Sequence, residues 1–337
     1  MQIGAILTLA GGPHSDAPLA GALFRRKSDQ TRHLTAAATK AQIDILGRNL
    51  RKRCIAKLIS LGITGADRIK VIQEGSASSS VLPARSAKPS TFINAWEDAV
   101  HEFVRQRVDL VLLLRVNAYA DLDFEELIRF HLEGGGDLTQ AYGPDGSLDV
   151  AVVSTAALHR PEGSYRKLLS TFIPEQQRFF HDGYINRLNK PQDFRKLVED
   201  GLTGQCELRP LGSETAEGVW CGPGAQLDSS VLIHGPAFIG AESRIDAGCV
   251  ITGASSIEGG CHVDCGTTVD QSWLLHGAYV GVGLHVRRSI VNRNKLFHLD
   301  RNLEIAVSDP RLIGANSVSL LSAGTRLFSR GQIPGAH

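Results

Sequence analysis

The residues with ligand-binding chemistry in the N-terminal part of the sequence fall at the ends of predicted strands. Gly11-Gly12 follows one apolar strand, Ser76–Ser80 a second, and Asn117 a third. The carboxyl ends of parallel strands in an α/β sheet meet at one edge, where ligands commonly bind. Glycines at such an edge let backbone amides approach a phosphate. The serine loop, with Ser78 at its centre, could do the same, although a flexible loop is the more common role of such a segment.

A second group of candidates lies in the C-terminal third. The segment Cys261-His262-Val263-Asp264-Cys265 contains the donor types of a zinc site. Both cysteines, however, fall at positions that a six-residue repeat, described below, reserves for small residues, so we favour small buried thiols. Histidines also cluster there, and hexapeptide acyltransferases use such a histidine as a general base. His276 is the best candidate for that role, whereas a corner or surface position is the more common one.

The N-terminal part of the chain carries a local positive charge. Residues 1–60 hold ten Lys and Arg against three Asp, in a chain whose formal net charge is +1. Such a cluster could attract phosphorylated ligands or an acidic partner. Arg25 and Lys27 are members that follow the glycine pair closely. The helical spacing of Arg48 and Lys52 fits a solvated helix face, and we favour that interpretation.

Composition limits the classes of protein to consider. The 337 residues are too many for one ordinary core and suit two domains. Hydrophobic residues make up 42% and charged residues 21%, which excludes wholesale disorder. The near-zero net charge gives no reason to expect binding to nucleic acid or to a membrane surface. No apolar run approaches the ~20 residues needed to cross a bilayer, and scattered cysteines without secretory features predict reduced thiols in a cytoplasmic protein.

The elements that position the N-terminal candidates alternate between strands and helices. Apolar runs and helical stripes in this order predict a doubly wound, mainly parallel α/β sheet. The predicted strands are 3–9, 68–73, 109–116 and 147–154, and the predicted helices are 35–61, 91–107 and 122–132.

The C-terminal third has a six-residue period, which neither a strand (about 2) nor a helix (about 3.6) produces alone. Short strands joined at regular corners do produce it, as in hexapeptide parallel β-helices. Three sides per turn predict about 18 residues per turn. The frame slips after the last aliphatic position, so an insertion or a protruding loop is expected near 276–284. The inward aliphatic series is Leu227, Ile233, Ile239, Ile245, Ile251, Ile257, Val263, Val269 and Leu275.

Several short phrases and the hexapeptide region together resemble the sugar-nucleotide pyrophosphorylases, nucleotidyltransferases that act on sugar 1-phosphates. The resemblance covers most of the chain. It implies a nucleotidyltransferase-like α/β domain at 1–205, a linker at 206–217, a left-handed parallel β-helix at 218–315 and a tail at 316–337. The matching phrases are Ala10-Gly11-Gly12, Asn49-Leu50-Arg51 through Leu61-Gly62-Ile63, the helix at 121–131, Gly136-Asp137-Leu138-Thr139, and Gly183-Tyr184 with Pro191-Gln192-Asp193-Phe194.

The positions that carry catalysis in that family are altered in this chain. Family members have G-x-G-T-R after the first strand, whereas this sequence reads Gly11-Gly12-Pro13-His14-Ser15-Asp16 and lacks the threonine and arginine. The two family aspartates that hold Mg²⁺ align with Asn117 and Arg187. Because Mg²⁺ prefers anionic oxygen ligands, an amide and a cation in their place remove the charge stabilisation on which nucleotidyl transfer depends.

The favoured hypothesis is a pyrophosphorylase-like protein with weak or no catalysis. It would bind a nucleotide sugar or sugar phosphate and act as a regulatory or scaffolding subunit in polysaccharide synthesis, as a homo-oligomer or paired with an active paralogue. The candidate ligand-binding residues are Gly11, Gly12, His14, Arg25, Lys27, Ser78, Asn117 and Arg187.

Two alternatives remain open. The chain could be an active nucleotidyltransferase with relocated groups, in which Asp121 or Asp123 holds Mg²⁺ and Arg25 or Lys27 binds phosphates. It could also be a hexapeptide acyltransferase that uses His276. Mg²⁺ is expected only if the chain is catalytically active.

Overall fold

The computed structural model describes residues 1–9, 40–73, 89–159 and 163–316, which belong to two compact units. The first unit comprises residues 1–43 and 49–193. The second comprises residues 44–48 and the chain from 194 onward. The second unit is therefore assembled from two separate stretches of sequence.

Most elements predicted up to residue 203 are present, but the strand at 147–154 directly follows an unpredicted strand at 138–143 and not a helix. The strands at 3–9, 68–73, 109–116 and 147–154 and the helices at 91–107 and 122–132 are confirmed to within two residues at each end. The strands are β1 (Ile3–Leu9), β2 (Asp44–Ile45), β3 (Arg48–Asn49), β4 (Ile69–Gln73), β5 (Leu110–Arg115), β6 (Tyr119–Ala120), β7 (Leu138–Gly143), β8 (Gly146–Ser154), β9 (Gln177–Phe180) and β10 (Ile185–Asn186). The helices are α1 (Leu50–Ser60), α2 (Pro89–Arg105), α3 (Phe124–Gly134), α4 (Tyr165–Phe172) and α5 (Pro191–Thr203).

The six-stranded sheet of the first unit has the order β4-β1-β5-β8-β7-β9. β1 is parallel to both β4 and β5, and β7 is parallel to β9. β8 runs antiparallel to β5 and to β7. All six residues of β5 are buried, as a central strand requires. The unit is thus a mixed α/β structure with a mostly parallel sheet.

The long helix predicted at 35–61 is wrong between residues 40 and 49, and its residues 35–39 lie outside the described part of the chain. Leu46 and Gly47 have φ angles of 52° and 86°, which lie in the left-handed region and interrupt a right-handed helix. β2 and β3 flank this turn, and α1 begins only at Leu50. The side chain of Asn49 accepts a hydrogen bond from the Lys52 amide and so caps α1. Ile43 and Leu46 have the same spacing as the apolar residues of α1, although they precede the helix and do not belong to it.

The helix after the central strand begins and ends at residues that its sequence specifies. Asp123 caps α3 by accepting from the amides of Glu125 and Glu126. Gly135, with a φ of 65°, ends it in the left-handed conformation that glycine adopts without strain. The cap at Asp123 fixes the end of the chain segment between β5 and α3, which carries Asn117.

The second unit contains short strands that visit three sheets in rotation. Parallel partners are 18 residues apart in the early turns, such as Ile239 and Ile257, which matches the predicted repeat. This arrangement is compatible with a β-helix. The strands are β11 (Ser213–Ala216), β12 (Val219–Cys221), β13 (Gln226–Leu227), β14 (Leu232–Ile233), β15 (Ala237–Ile239), β16 (Arg244–Ile245), β17 (Val250–Thr252), β18 (Ser256–Ile257), β19 (His262–Val263), β20 (Thr268–Asp270), β21 (Trp273–Leu274), β22 (Ala278–Val280), β23 (His285–Arg287), β24 (Ser289–Asn292), β25 (Lys295–His298), β26 (Leu303–Ala306) and β27 (Ile313–Ala315).

The aliphatic series fills the interior of these sheets through most of its length. The six members of the aliphatic series from Ile239 to Val269 are each at most 1% exposed. At the first turn Leu227 is 36% exposed and Ile233 is half-buried. The buried column therefore begins after the first turn.

The predicted position of the frame slip is wrong. Ile257 pairs with Leu274, 17 residues later, so Leu274 takes the register position that the period assigns to Leu275. The cause is a corner one residue shorter between Val269 and Leu274, where Gln271 has a φ of 48°. Residues 276–284 contain β22 in regular register, with no protruding loop. Relative to the six-residue period, the chain therefore lacks one residue at this corner, whereas the sequence pattern predicted additional residues.

A buried arginine stabilises this shortened corner. The guanidinium of Arg195 donates to the backbone carbonyls of Gln271 and Gly253, at 3.0 and 2.8 Å. Its neighbour Phe194 stacks on Trp273, with ring centroids 6.0 Å apart. These contacts satisfy carbonyl groups that the irregular corner leaves outside the strand ladder.

A buried carboxylate holds the segment 44–48 in the second unit. Glu258 is fully buried, and its oxygens accept hydrogen bonds from the backbone amides of Leu46 and Gly47, both at 2.8 Å. Ser256 and Trp273 donate the other two, at 2.9 and 3.0 Å. Four donors from the two stretches of sequence therefore converge on one carboxylate.

Among the helices that the structure describes, none is both long enough and apolar enough to cross a membrane.

Candidate functional site

A small antiparallel pair of strands brings Asn117 and Arg187 to the carboxyl end of β5. β6 and β10 pair through Tyr119 with Asn186 and Ala120 with Ile185. Asn117 lies two residues before β6, and Arg187 comes directly after β10. Two positions seventy residues apart in sequence therefore lie at the same end of the central strand.

Asp149 on β8 joins these two residues in one polar cluster. The side-chain amide of Asn117 donates to its carboxylate at 3.3 Å. The guanidinium of Arg187 donates to the carbonyls of Gly146 and Ser147, at the start of the same strand. Asn117, Asp149 and Arg187, together with Arg115 at the end of β5, form what we call the β5 site.

Backbone geometry aims Asp149 into the site. Its φ is 59°, in the left-handed region that aspartate tolerates better than most residues. The register of β7 against β8 shifts between Gln140 and Tyr142, close to this position. Such irregularities redirect side chains and are common beside functional sites.

The β5 site carries more positive than negative charge. Burial raises the pKa of Asp149 to about 6. The positive charge of Arg115, the hydrogen bond from Asn117 and the positive charges of Arg187 and Lys40 all act to lower it. Three cations therefore lie within electrostatic range of one carboxylate.

The residues of the β5 site do not fit Mg²⁺. The ion requires several hard anionic oxygens in near-octahedral geometry. Asp149 supplies one carboxylate, which already accepts a hydrogen bond from Asn117, and the nearby guanidinium and ammonium groups repel a dication. An anionic group is the ligand that this charge distribution favours.

Other predicted site residues lie elsewhere or outside the described part of the chain. Six of them fall outside the described residues: Gly11, Gly12, His14, Arg25, Lys27 and Ser78. Of the two alternative metal ligands, Asp123 caps α3 by accepting from two backbone amides, and Asp121 directly follows β6, where its own amide donates to the Tyr184 carbonyl. His276 is exposed and follows β21. The structure therefore brings together Asn117 and Arg187 from the candidate ligand-binding residues.

The cysteine pair of the 261–265 segment behaves only partly as predicted. Cys261 is buried, and its thiol donates to the Leu275 carbonyl at 3.1 Å. Cys265 is exposed, so its predicted burial is wrong. The intervening His262 and Asp264 face Asp246 from the preceding turn.

These outward-facing groups form a charge network. The donor atoms of Asp246, His262 and Asp264 lie within 4.8 Å of one another. Asp246 accepts from Arg244 at 2.7 Å and is 2.8 Å from His262 Nε2. Tyr279 donates to Asp264 at 2.9 Å. The protein's own donors engage both carboxylates.

Sequence reasoning did not find Asp149, which is central to the β5 site. The signal was present, because Asp149 interrupts the weakly alternating pattern of residues 147–154. Its meaning depends on β8 pairing antiparallel with β5, and the alternating strand and helix order predicted no such neighbour.

The chain matches no protein-family model, and no curated protein is significantly similar to it.

Proposed function

We propose that this chain is a nucleotidyltransferase-like protein that binds a nucleotide sugar or sugar phosphate and has little or no catalysis of its own. In this proposal the first unit is a doubly wound domain of the pyrophosphorylase type, and the second is a left-handed parallel β-helix of hexapeptide turns. The protein would act in the cytoplasm as a regulatory or scaffolding subunit of polysaccharide synthesis, as a homo-oligomer or beside an active paralogue.

The excess of cations at the β5 site is the observation that supports this proposal most directly. Ligands of α/β sheets bind at the carboxyl ends of the strands, and the site lies at that end of the central strand. The guanidinium groups of Arg115 and Arg187 favour a phosphate. Asn117 donates its amide hydrogen to Asp149, and in this proposal its carbonyl oxygen accepts from a hydroxyl group of the ligand.

Binding of nucleotide sugars tests this proposal. We expect a panel of nucleoside diphosphate sugars to raise the melting temperature of the wild-type protein, because a ligand that binds only the folded state stabilises it. Arg187→Gln removes one guanidinium, so titration calorimetry should show affinity reduced by about tenfold.

Arg129→Gln is the matched control, since Arg129 is an exposed residue of α3 in the same unit. It loses the same charge and should leave the affinity within about twofold of wild type. Equal weakening by both variants, or no binding of any member of the panel, would contradict the proposal.

Affinity for a nucleotide sugar is expected to depend on pH through Asp149. Its pKa of about 6 means that the carboxylate is ionised at pH 7.5 and largely neutral at about pH 5. Protonation removes a negative charge beside the bound anion, so affinity should rise as the pH falls. The diphosphate diester of a nucleotide sugar stays fully ionised in this range, which leaves the protein as the source of the change.

Asp149→Asn removes the titrating group at nearly constant volume. We expect this variant to bind several-fold more tightly than wild type at pH 7.5 and to show a flatter pH profile, measured by titration calorimetry. A profile that is unchanged in Asp149→Asn would exclude Asp149 as the group responsible.

A further inference from the structure

The second unit contains a cationic cavity that the proposed function does not use. It lies at the corner after β23, beside the hairpin of β24 and β25, and has a volume of about 370 Å³. Sites for small ligands are commonly about 300 to 1,000 Å³. The cavity is lined by Arg287, Arg288, His298, Asp300 and Arg301.

The carboxylates near this cavity neutralise two of its three guanidinium groups. Arg288 pairs with Asp300, with 2.8 Å between nitrogen and oxygen. Arg287 pairs with Asp270 at 3.2 Å. Within the described residues, the side chain of Arg301 has no hydrogen bond or ion pair. One full positive charge in the cavity wall is therefore uncompensated by the protein.

Two further nitrogen-bearing side chains belong to the surroundings of this cavity. Arg195 is only 6% exposed and pairs with Glu199 at 3.7 Å; burial and the positive charge of Arg288 lower its pKa, whereas Glu199 and Asp270 raise it. The Nδ1 atom of His298 is buried and has no hydrogen-bond partner among the described residues.

We propose that this cavity binds the phosphoryl group of a small anion, such as a diphosphate. Guanidinium groups present planar pairs of donors that match phosphate oxygens, and the cavity is lined by three of them. Every lining residue belongs to the second unit, so this site is separate from the β5 site and does not depend on the function proposed for it.

Inorganic pyrophosphate is the probe for this site, measured by titration calorimetry with the full chain at low salt. Arg301→Gln removes the uncompensated charge and should weaken binding by about tenfold. Asp300→Asn removes the opposing charge and should strengthen binding by a few-fold, which a purely structural role of the cavity would not produce. Inorganic phosphate, at matched ionic strength, should bind more weakly than pyrophosphate because it carries less charge.

Two controls locate the binding. Arg311→Gln removes an exposed arginine of the same unit that pairs with Asp309, and it should leave the affinity within about twofold of wild type. Arg187→Gln alters the β5 site and should leave the pyrophosphate affinity of the cavity unchanged.

Three results would overturn the proposal. These are no heat of binding at millimolar pyrophosphate, equal weakening by Arg301→Gln and Arg311→Gln, or loss of binding in Arg187→Gln but not in Arg301→Gln. The Arg301 side chain is exposed, so the folding of its variant is not in question, and an unchanged melting temperature without ligand confirms this.

Discussion

Supplied with Mg²⁺, a nucleoside triphosphate and a panel of sugar 1-phosphates, the wild-type protein is expected to release pyrophosphate at least about 10³-fold more slowly than an active nucleotidyltransferase. The reason is electrostatic. Nucleotidyl transfer depends on metal-borne charge stabilisation, and the one carboxylate of the β5 site, Asp149, lies among the positive charges of Arg115, Arg187 and the nearby Lys40. A coupled pyrophosphate assay measures the rate directly.

Introducing acidic groups at positions 117 and 187 should create a metal-binding site. The double variant Asn117→Asp, Arg187→Asp places three carboxylates at the β5 site, including Asp149, and removes one guanidinium. We expect it to bind Mn²⁺, used as a spectroscopic substitute for Mg²⁺, at least about tenfold more tightly than wild type. Electron paramagnetic resonance of free Mn²⁺ gives the bound fraction.

The double variant Asn94→Asp, Arg129→Asp is the matched control, because it makes the same change of charge at exposed positions of α2 and α3. It should leave Mn²⁺ binding close to that of wild type. Robust turnover by the wild-type protein that Asn117→Ala abolishes would contradict the proposed function and favour the active enzyme with relocated groups.

Replacement of Glu258 by alanine is expected to lower the free energy of unfolding by about 3 to 5 kcal/mol. The substitution leaves four buried donors without an acceptor, from Leu46, Gly47, Ser256 and Trp273. Each unsatisfied buried donor costs about 1 to 3 kcal/mol, and relaxation of the cavity recovers part of the sum. Denaturant unfolding followed by tryptophan fluorescence measures the change, because Trp273 is one of the donors.

Glu258→Gln is the more conservative variant, because it removes the negative charge of the side chain and keeps its size and shape. Its amide oxygen replaces Oε1, which accepts three hydrogen bonds, but its NH₂ group faces the Gly47 amide and leaves that donor unsatisfied. We expect a loss of about 1 to 3 kcal/mol. Glu217→Gln, at an exposed position of the same unit, should change stability by less than about 0.5 kcal/mol.

The pH dependence of stability supplies an independent test of Glu258. Burial raises its pKa to about 7 from an ordinary value of 4.5, against the four donors that act to lower it. The folded state therefore binds more protons than the unfolded state between these values, and stability falls as the pH rises through them. Wild type should have a higher free energy of unfolding than Glu258→Gln, and this difference should become smaller between about pH 5 and about pH 8. A difference that stays constant over this range would contradict the raised pKa of Glu258.

Local pattern was sufficient to predict most strands and helices, because each depends on its own periodicity and caps. β5 follows from an uninterrupted apolar run, and α3 from Asp123 and the glycines at its end. The break at Leu46–Gly47 was missed because the apolar spacing continues through it. Its left-handed turn is stabilised by Glu258, more than two hundred residues away in sequence, which no local pattern reveals.

The repeat region shows the same limit in another form. The six-residue period correctly predicts the buried column from Ile239 to Val269. The period misplaces the frame slip, because the short corner between Val269 and Leu274 is stabilised by hydrogen bonds from Arg195, which is distant in sequence. Similarly, the family resemblance was enough to single out Asn117 and Arg187 as candidate site residues. Asp149 could be identified only from the structure, which shows that β8 lies beside β5.

The discontinuity of the second unit has a practical consequence for dissecting or recombining this gene. A fragment that starts at residue 194 omits the five-residue segment 44–48, which we call the strap. The buried Glu258 would then lose both of its backbone donors, the amides of Leu46 and Gly47. Such a fragment should express as an unstable or aggregating product. Grafting the strap back through an engineered connection, or permuting the chain so that it precedes residue 194, is the route to an excisable module.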